Sequence, residues 1–351
     1  MTGAGSRAPG DAFRPTSLLV TGGAGFIGSN FIRAALARDA HVRLVNFDAL
    51  TYAGNLENLA DLADHPRYTF VHGDIRDHRA VRRAMGEHGI DALVHFAAES
   101  HVDRSIMGPA DFVDTNVKGT LSLLEAARER GTRFLHVSTD EVYGSLEPDG
   151  PAFTEHTPLA PNSPYAASKA GSDMLVRAWH ETFDLPTLIT RCSNNYGPYQ
   201  FPEKLIPLMI TRALADQRLP VYGDGRNVRD WLHVTDHVEA LWTVLTRGDP
   251  GAVYNIGGES EVANIEIVRR LLALLDKPET LIEYVPDRPG HDRRYAMDIN
   301  RIRHELAWQP HIALADGLQD TVQWYLEHRA WWERVLNEAY QATNAMYLKG
   351  V

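Results

Sequence analysis

Short apolar segments alternate with segments of helical periodicity in the first half of the chain. Each apolar segment has the length of a buried strand, and residues 30–40 show the spacing of an amphipathic helix. The predicted strands are Ser17–Thr21, His41–Phe47, Tyr68–Gly73, Asp91–Phe96 and Arg133–Val137. Strands separated by helices imply a parallel sheet that binds its ligands at the carboxyl ends of the strands. The pattern predicts an α/β fold with a Rossmann-type doubly wound parallel sheet and a smaller mixed α/β domain.

The first strand runs into a glycine-rich turn, Gly22-x-x-Gly25-x-x-Gly28, and a helical pattern follows it. Gly22 and Gly25 permit a tight turn and a close approach of the backbone to a pyrophosphate, and Gly28 lets the helix pack on the strand. The unpaired N–H groups of the helix N-terminus favour an anion. A glycine motif alone is weak evidence, so the strand before it and the helix after it are what support a dinucleotide site.

Polar or small residues follow the next strands. Asp48 ends the second strand, where a carboxylate accepts both ribose hydroxyls of adenosine and repels a 2′-phosphate, so NAD is favoured over NADP. The alternative for Asp48 is a turn or cap residue. Asp74-Ile75 follows the third strand, at the expected adenine edge, and the small side chains of Ala97-Ala98 after the fourth let a cofactor lie close. All these positions follow the carboxyl ends of predicted parallel strands, so they are expected to lie at the same edge of the sheet.

Tyr165 and Lys169 lie four residues apart at the start of a helical pattern. They therefore share a helix face, and we expect the ammonium to lower the pKa of the phenol. Thr139, at the end of the preceding strand, supplies a hydroxyl that can share the same proton. The alternative is a surface lysine one turn from a packed tyrosine.

The pair Asp140-Glu141 directly follows Thr139. Two carboxyls of different pKa can divide the work of a general acid and a general base. Neighbouring residues of a strand point to opposite faces, so both carboxyls reach one substrate only if the strand ends at Thr139. We expect like charge and burial to raise the pKa of Asp140.

Composition excludes several classes of function. The chain has 351 residues, 44% of them hydrophobic, and a net charge of -11, which argues against a nucleic-acid or anionic-membrane partner. Cys192 is the single cysteine, so there is no intrachain disulfide, and we read it as a small buried hydrophobe. His233 and His237 have the i, i+4 spacing of metal ligands, but Thr235 and Asp236 resemble the cap and first turn of a helix, so we expect no metal.

No apolar segment reaches the length of a membrane span, and the first 17 residues lack an apolar signal core. We expect a disordered tail over residues 1–16, in a cytoplasmic protein.

The second half contains residues suited to a phosphorylated ligand. The Gly/Pro/Asn cluster Ser193–Gln200 predicts a loop, and a helix is expected to start within Phe201–Pro207, where Pro207 is tolerable near the first turn. Lys204, Arg229 and Arg288 can supply the cations that a diphosphate needs. Alternatively, Arg229 forms an ordinary ion pair with Asp230, and residues 287–291 an ordinary turn. The Trp/Tyr-rich pattern after Thr321 predicts an amphipathic helix used for packing.

The glycine turn, the segments Ala97–Asp103 and Ser138–Gly144, and Tyr165-x-x-x-Lys169 together resemble the extended short-chain dehydrogenase/reductases, and among these the dTDP-glucose 4,6-dehydratases. The resemblance covers roughly Leu18 to Trp324. Related sugar-nucleotide epimerases share the glycine turn and the Tyr/Lys pair but differ after the threonine, so Asp140-Glu141 is the most specific signal.

The resemblance implies conversion of dTDP-glucose to dTDP-4-keto-6-deoxyglucose by a cytoplasmic homodimer, in deoxysugar biosynthesis. Its implied catalytic residues are Thr139, Asp140, Glu141, Tyr165 and Lys169. Implied NAD contacts are Gly22, Gly25, Phe26, Ile27, Gly28, Asp48, Leu50, Thr51, Asp74, Ile75, Ala97, Ala98, Ser100, Thr115, Tyr165, Lys169 and Asn195. Implied substrate contacts are Ser100, Thr139, Asn194, Lys204, Leu205, Pro220, Tyr222, Arg229, Asn264, Arg288 and His291.

The expected domains follow from the same reading. Residues 17–192 with 230–256 form the NAD-binding domain, and 193–229 with 257–351 form the nucleotide-sugar-binding domain. Three alternatives stay open: a sugar-nucleotide 4-epimerase, a dehydratase for another nucleotide sugar, and a non-catalytic NAD-binding regulator.

Overall fold

The computed structural model describes residues 12–337. The strands are β1 Ser17–Thr21, β2 Arg43–Asp48, β3 Tyr68–His72, β4 Ala92–His95, β5 Arg133–Thr139, β6 Thr187–Cys192, β7 Asn194–Tyr196, β8 Leu219–Tyr222, β9 Val228–His233, β10 Val253–Ile256, β11 Glu261–Ala263 and β12 Ile282–Val285. The helices are α1 Phe26–Arg38, α2 His78–Glu87, α3 Val102–Met107, α4 Pro109–Phe112, α5 Thr120–Arg130, α6 Pro164–Phe183, α7 Leu205–Leu214, α8 Val234–Arg247, α9 Asn264–Leu274, α10 Asn300–Leu306 and α11 Leu314–Glu327.

Within the described residues, the large sheet has seven strands in the order β10-β6-β5-β4-β1-β2-β3, and every neighbouring pair is parallel. Alternate residues of β1 point to opposite faces: Leu18 and Val20 pack in one core cluster, and Leu19 packs in another. The first cluster includes Phe31 of α1 and the second includes Leu123 of α5. The predicted doubly wound parallel sheet is therefore confirmed.

A smaller lobe is built on two short sheets. Strands β11, β9 and β7 form one sheet, with β9 parallel to β7 and antiparallel to β11, and β8 pairs in parallel with β12. Its core holds aromatic side chains of the C-terminal helices, including Tyr325, Trp331 and Trp332. The predicted packing role of this Trp/Tyr-rich segment is confirmed. No helix among residues 12–337 is long and apolar enough to cross a membrane.

Two local predictions are wrong. Residues 194–196, predicted as loop, form β7, because hydrogen bonds to β9 outweigh the turn preference of the Asn and Gly residues. The cap of α8 is His233 rather than Thr235, since its side chain accepts a hydrogen bond from the Thr235 N–H.

The predicted tail of residues 1–16 needs a correction at its C-terminal end. The Phe13 N–H donates to the carbonyl of Thr246, and the Arg133 guanidinium lies 5.2 Å from the centre of the Phe13 ring. The Thr16 hydroxyl also donates to Asp91, so residues 13–16 are packed on the large sheet. Residues 1–11 lie outside the described part of the chain.

The domain boundaries stay a prediction. Strand β9 pairs in the small sheet, whereas α8 packs on the large sheet and β10 is its edge strand.

Candidate active site

The glycine turn forms a tight backbone cradle at the start of α1. Gly22 has φ +70, and a Cβ there would lie 2.7 Å from the Ala97 nitrogen. A Cβ on Gly28 would lie 2.3 Å from the Gly22 carbonyl oxygen. No side chain caps the N-terminus of α1, so its first N–H groups face the adjoining cleft. This cradle fits a pyrophosphate.

Asp48 closes the far end of the cradle. Its Oδ2 accepts a hydrogen bond from the Ala24 N–H at 2.9 Å, and its Oδ1 accepts one from the Leu50 N–H at 2.8 Å. These bonds hold the carboxylate against the cleft, although burial raises its pKa. Its remaining lone pairs can accept ribose hydroxyls, so the site fits a dinucleotide without a 2′-phosphate.

The cleft has a volume of about 560 Å³ and extends from the glycine turn to the Asp140-Glu141 pair. Most of the predicted site residues line it: Gly22, Gly25, Phe26, Ile27, Gly28, Asp48, Thr51, Asp74, Ile75, Ala97, Ala98, Ser100, Thr115, Thr139, Asp140, Glu141, Tyr165, Lys169, Asn194, Asn195 and Lys204. The others lie outside its lining: Leu50, Leu205, Pro220, Tyr222, Arg229, Asn264, Arg288 and His291.

Strand β5 ends at Thr139, and a single 3-10 turn begins at Asp140. The Thr139 hydroxyl donates to Asp140 Oδ1 at 3.2 Å and accepts from the Glu141 N–H at 3.3 Å. The sequence analysis required the strand to end at Thr139 if both carboxyls are to reach one substrate. The strand does end there, so the alternation of side chains stops before Asp140 and Glu141. Both line the same cleft.

Burial shifts both carboxyls toward their neutral forms. Asp140 is 2% exposed, and burial together with the charge of Glu141 raises its pKa well above the usual range, which confirms the expected direction. Burial also raises the pKa of Glu141, while the charges of Arg288, Lys204 and Arg229 oppose that rise. Glu141 keeps partial exposure to the cleft, so the two carboxyls differ in environment.

Tyr165 and Lys169 are both buried on one face of α6, which begins with Ser163 as its cap and Pro164 in its first turn. Burial and the charge of Glu141 raise the pKa of Tyr165 well above its usual value, and a hydrogen bond with Thr139 opposes this. The expected lowering of this pKa by Lys169 is therefore wrong. The physical reason is that burial disfavours the charged phenolate of Tyr165. The Lys169 ammonium donates to the Val137 carbonyl at 2.9 Å, and burial lowers its own pKa to about 8.

Three cations converge on the Glu141 side of the cleft. The Lys204 ammonium donates to the Ser100 carbonyl at 2.9 Å, and Arg288 lies 3.7 Å from the Asp103 carboxylate. Arg229 stacks 4.2 Å from the centre of the Tyr295 ring. The charge of each lowers the pKa of Glu141, which places all three within electrostatic reach of it. This positive end of the cleft suits a diphosphate.

The sequence also allowed an ordinary ion pair at Arg229 and an ordinary turn at residues 287–291. Among the residues that the structure describes, the turn is present and the ion pair is not. Arg229 donates to the carbonyls of Val228 and Asp292, while Asp230 accepts from the N–H groups of Gly258 and Ser260, so the two do not form an ion pair within the described residues. Residues 287–291 do form a turn, in which the Asp287 carboxylate accepts from the Arg288 N–H and bonds the His291 ring at 2.6 Å.

The remaining substrate-side residues come from several elements of the smaller lobe. Leu205 and Asn264 are the first residues of α7 and α9. Pro220 and Tyr222 belong to β8, and the Tyr222 hydroxyl donates to Asp103 at 3.4 Å. The loop after β12 brings His291 against the Tyr222 ring, 6.1 Å between ring centres.

Sequence reasoning missed some residues of the cleft. Cys192 and Ser193 line it at the end of β6, where the strand-end argument would have predicted them. Glu203 lines it as well and accepts a hydrogen bond from the Tyr52 hydroxyl at 3.2 Å. No local signal distinguishes Glu203, because the contact joins residues 151 positions apart.

Comparison with known proteins agrees with this geometry. The family model described as GDP-mannose 4,6 dehydratase matches residues 19–321. The dTDP-glucose 4,6-dehydratase of Xanthomonas campestris pv. campestris (strain B100) is 57% identical over 342 residues, covering 92% of this chain and 97% of the relative.

Two solved structures share the whole fold. DesIV (dTDP-glucose 4,6-dehydratase) from Streptomyces venezuelae, with NAD and TYD bound, has a TM-score of 0.88 and 53% identity, covering 91% of this chain and 99% of its own. The dTDP-glucose 4,6-dehydratase from Bacillus anthracis str. Ames, in complex with NAD, has a TM-score of 0.86 and 51% identity, with the same coverage. The resemblance predicted from the motifs is confirmed, and the chain belongs to the dTDP-glucose 4,6-dehydratase family.

Proposed function

We propose that this protein is an NAD-dependent hydro-lyase that converts dTDP-glucose to dTDP-4-keto-6-deoxyglucose, a step of deoxysugar biosynthesis. The observation that carries the proposal is the turn after β5, which directs Asp140 and Glu141 into the cleft that also holds Tyr165. The names of the relatives support the same substrate.

The cleft fits NAD at its glycine-turn end. The backbone cradle of Gly22 and Gly28 would hold the pyrophosphate, and Asp48 the adenosine ribose. When bound, NAD would accept a hydride from C4 of the glucosyl group, return it to C6 and place positive charge beside the phenol of Tyr165. The bound NAD of the two solved relatives supports this choice.

Tyr165 acts as the base for the 4-hydroxyl. Its phenol is buried in the cleft, and Thr139 contacts it, so one proton can pass between the sugar hydroxyl, Thr139 and Tyr165. Lys169 holds a positive charge one helical turn away, and together with the positive charge of bound NAD it would oppose the effect of burial on the phenol. Oxidation at C4 leaves a ketone that makes the C5 proton acidic.

The carboxyl pair removes water across C5 and C6. Glu141, partly open to the cleft and facing three cations, takes the C5 proton and gives it back to C5 when the hydride adds to C6. Asp140, whose pKa is raised by burial and by Glu141, carries the proton that the departing 6-hydroxyl needs. The two environments thus support a base and an acid from adjacent residues. Lys204, Arg229 and Arg288 bind the diphosphate.

The direct test is to mix the purified protein with dTDP-glucose and measure the product mass. Loss of one water is expected, and deuterium placed at C4 should appear on the new methyl group at C6. A product of unchanged mass with inverted C4 would identify a 4-epimerase, and absence of deuterium from the methyl group would contradict the proposed hydride path. The same assay with other nucleotide sugars tests the alternative substrates.

Tyr165→Phe removes only the phenolic hydroxyl. We expect ketone formation to fall by roughly 10²–10⁴-fold, the usual contribution of a positioned general base. Single-turnover absorbance of reduced nicotinamide measures this step. Near-normal turnover would remove Tyr165 from its role.

A homodimer and a cytoplasmic location are part of the same proposal. The family resemblance supports a dimer, which light scattering of the purified protein tests, and cell fractionation tests the location.

A further inference from the structure

The C-terminal part of the described chain contacts the large lobe behind the glycine turn. Residues 329–337 form a helical segment after α11, and Trp331 and Trp332 pack in the core of the smaller lobe. The Trp331 indole N–H donates to Asn58 Oδ1 at 2.9 Å, across 273 positions of sequence. Trp331 is 7% exposed and Asn58 is 2% exposed, so this contact between the lobes is buried.

The other end of the Asn58 amide contacts the glycine turn. An indole N–H can only donate, so the amide oxygen faces Trp331 and the amide nitrogen needs a different partner. That nitrogen donates to the Ala24 carbonyl at 2.9 Å. Ala24 lies in the middle of the glycine turn, and its own N–H donates to Asp48. A single amide therefore connects the smaller lobe to the backbone cradle proposed to hold the pyrophosphate.

Further contacts surround the same junction. Arg33 of α1 donates to the Asn58 carbonyl and forms an ion pair with Asp61. The Arg33 guanidinium also lies 5.0 Å from the centre of the Tyr199 ring, and the Tyr199 and Trp331 rings meet edge to face with 6.0 Å between their centres. Trp331 is thus connected to α1 as well as to Asn58.

The junction lies next to the NAD side of the cleft. The segment between β2 and Asn58 supplies Thr51, Ala53 and Gly54 to the cleft lining. In the proposed reaction the hydride taken from C4 must return to C6 of the same sugar, so loss of the cofactor between these steps would end the turnover. A firmly held cradle is therefore a requirement of the chemistry.

We propose that Trp331 is a positioning residue for the cofactor: through Asn58 it fixes the glycine turn, so that the smaller lobe sets how tightly NAD is held. The proposal rests on the proposed function. Coupling between two sites is reciprocal, so bound NAD must in turn stabilise the contact between Trp331 and Asn58. A tryptophan used only for packing would contribute to stability and leave the affinity for NAD unchanged.

Trp331→Phe keeps an aromatic ring and removes the indole N–H. We expect the Kd for NAD to rise by roughly 2- to 10-fold, the range that one hydrogen bond can supply. Calorimetric titration with NAD measures the Kd. A chase of bound, labelled NAD with unlabelled NAD measures its dissociation rate, which should rise by a similar factor.

Trp332→Phe is the matched control. The Trp332 side chain is 5% exposed, and its indole N–H donates to the Tyr325 carbonyl at 2.9 Å, within the smaller lobe. The two substitutions therefore remove the same group from similar surroundings, and denaturant unfolding should show similar losses of stability. Only Trp331→Phe should weaken NAD binding. An unchanged Kd in Trp331→Phe, or an equal rise in both variants, would overturn the proposal.

A measurement on the wild type carries the test if Trp331→Phe does not fold. NAD should slow solvent exchange of the Trp331 indole N–H more than that of the Trp332 indole N–H, followed by NMR of protein with isotope-labelled tryptophan. Equal effects on the two indoles would contradict the proposal. A wild type that binds NAD but makes no product from dTDP-glucose would overturn the proposed function alone, because the binding and exchange measurements need no sugar nucleotide.

Discussion

Burial acts in one direction on the groups nearest the proposed reaction. It raises the pKa values of Asp140, Glu141 and Tyr165 and lowers that of Lys169, so each is pushed toward its neutral form. These four groups therefore carry less charge than their ordinary pKa values would imply. A carboxyl whose pKa is raised holds its proton closer to neutral pH, which is what the proposed role of Asp140 as a general acid needs.

Glu141→Gln tests the division of labour between the carboxyls. We expect C4 oxidation to continue and loss of water to slow by roughly 10²–10⁴-fold, because the amide cannot take the C5 proton. Reduced nicotinamide should then accumulate without 6-deoxy product, measured by absorbance and product mass. Glu147→Gln, at an exposed position nearby, is the matched control. A wild-type yield of 6-deoxy product from Glu141→Gln would show the assignment to be wrong.

Asp140→Asn should stabilise the fold at neutral pH while it impairs water loss. The pKa of Asp140 is higher in the folded state, so between the unfolded value of about 4 and the folded value the native protein binds the extra proton. Wild-type stability contributed by this group is therefore lost as pH rises, and an uncharged amide avoids the loss. Denaturant unfolding should show equal stabilities near pH 4 and a more stable variant at neutral pH. A constant difference across this range would contradict the raised pKa.

At the scale of elements, the site depends on where strands end. Asp48, Thr139 and Cys192 are the last residues of the parallel strands β2, β5 and β6, and all line the cleft. The apolar runs of the sequence locate such ends, which is why Asp48 and Thr139 were predictable. The strand β7 was not, because its pairing with β9 depends on residues far away in the chain.

Gly28→Ala should disrupt the junction of β1 and α1. The added methyl would lie 2.3 Å from a backbone oxygen that cannot move alone, so we expect a loss of about 1–3 kcal/mol of stability and much weaker NAD binding. Thermal unfolding and calorimetric titration with NAD measure both. Gly171→Ala, inside α6 with 3.4 Å to its nearest neighbour, is the control expected to cost little. Unchanged NAD binding in Gly28→Ala would contradict the role of the cradle.

At the scale of the whole molecule, the two lobes supply different chemistry. Strand β5, the turn after it and helix α6 of the large lobe carry Thr139, Asp140 and Tyr165. Arg229 and Arg288 come from the smaller lobe and its loops. The motifs of the first half predicted their own arrangement, since each is local in sequence. Apart from the cations Arg229 and Arg288, the substrate-side residues after Lys204 were identified only by resemblance, because their elements meet through tertiary packing that no short pattern encodes.

Arg288→Gln should weaken binding of the substrate diphosphate with a smaller effect on kcat. A charged hydrogen bond contributes about 1.5–3 kcal/mol, so the Kd for dTDP should rise by roughly 10- to 100-fold. Calorimetry measures the affinity, and KM and kcat for dTDP-glucose measure the split. Arg293→Gln is the control, because this exposed side chain pairs with Asp224 instead. Equal affinities of the two variants for dTDP would exclude Arg288 from the diphosphate site.

The path of the chain between the lobes limits where recombination between homologous genes can give a folded protein. The chain leaves the large sheet after Cys192, builds β7, β8 and β9, and then returns with α8 and the edge strand β10. A single recombination crossover near residue 193 would therefore join most of one parent's sheet to the other parent's edge strand and covering helix. We expect functional chimeras with new sugar preferences to contain two crossovers, one before β7 and one after β9. Only this arrangement takes all strands of the large sheet from the same parent protein.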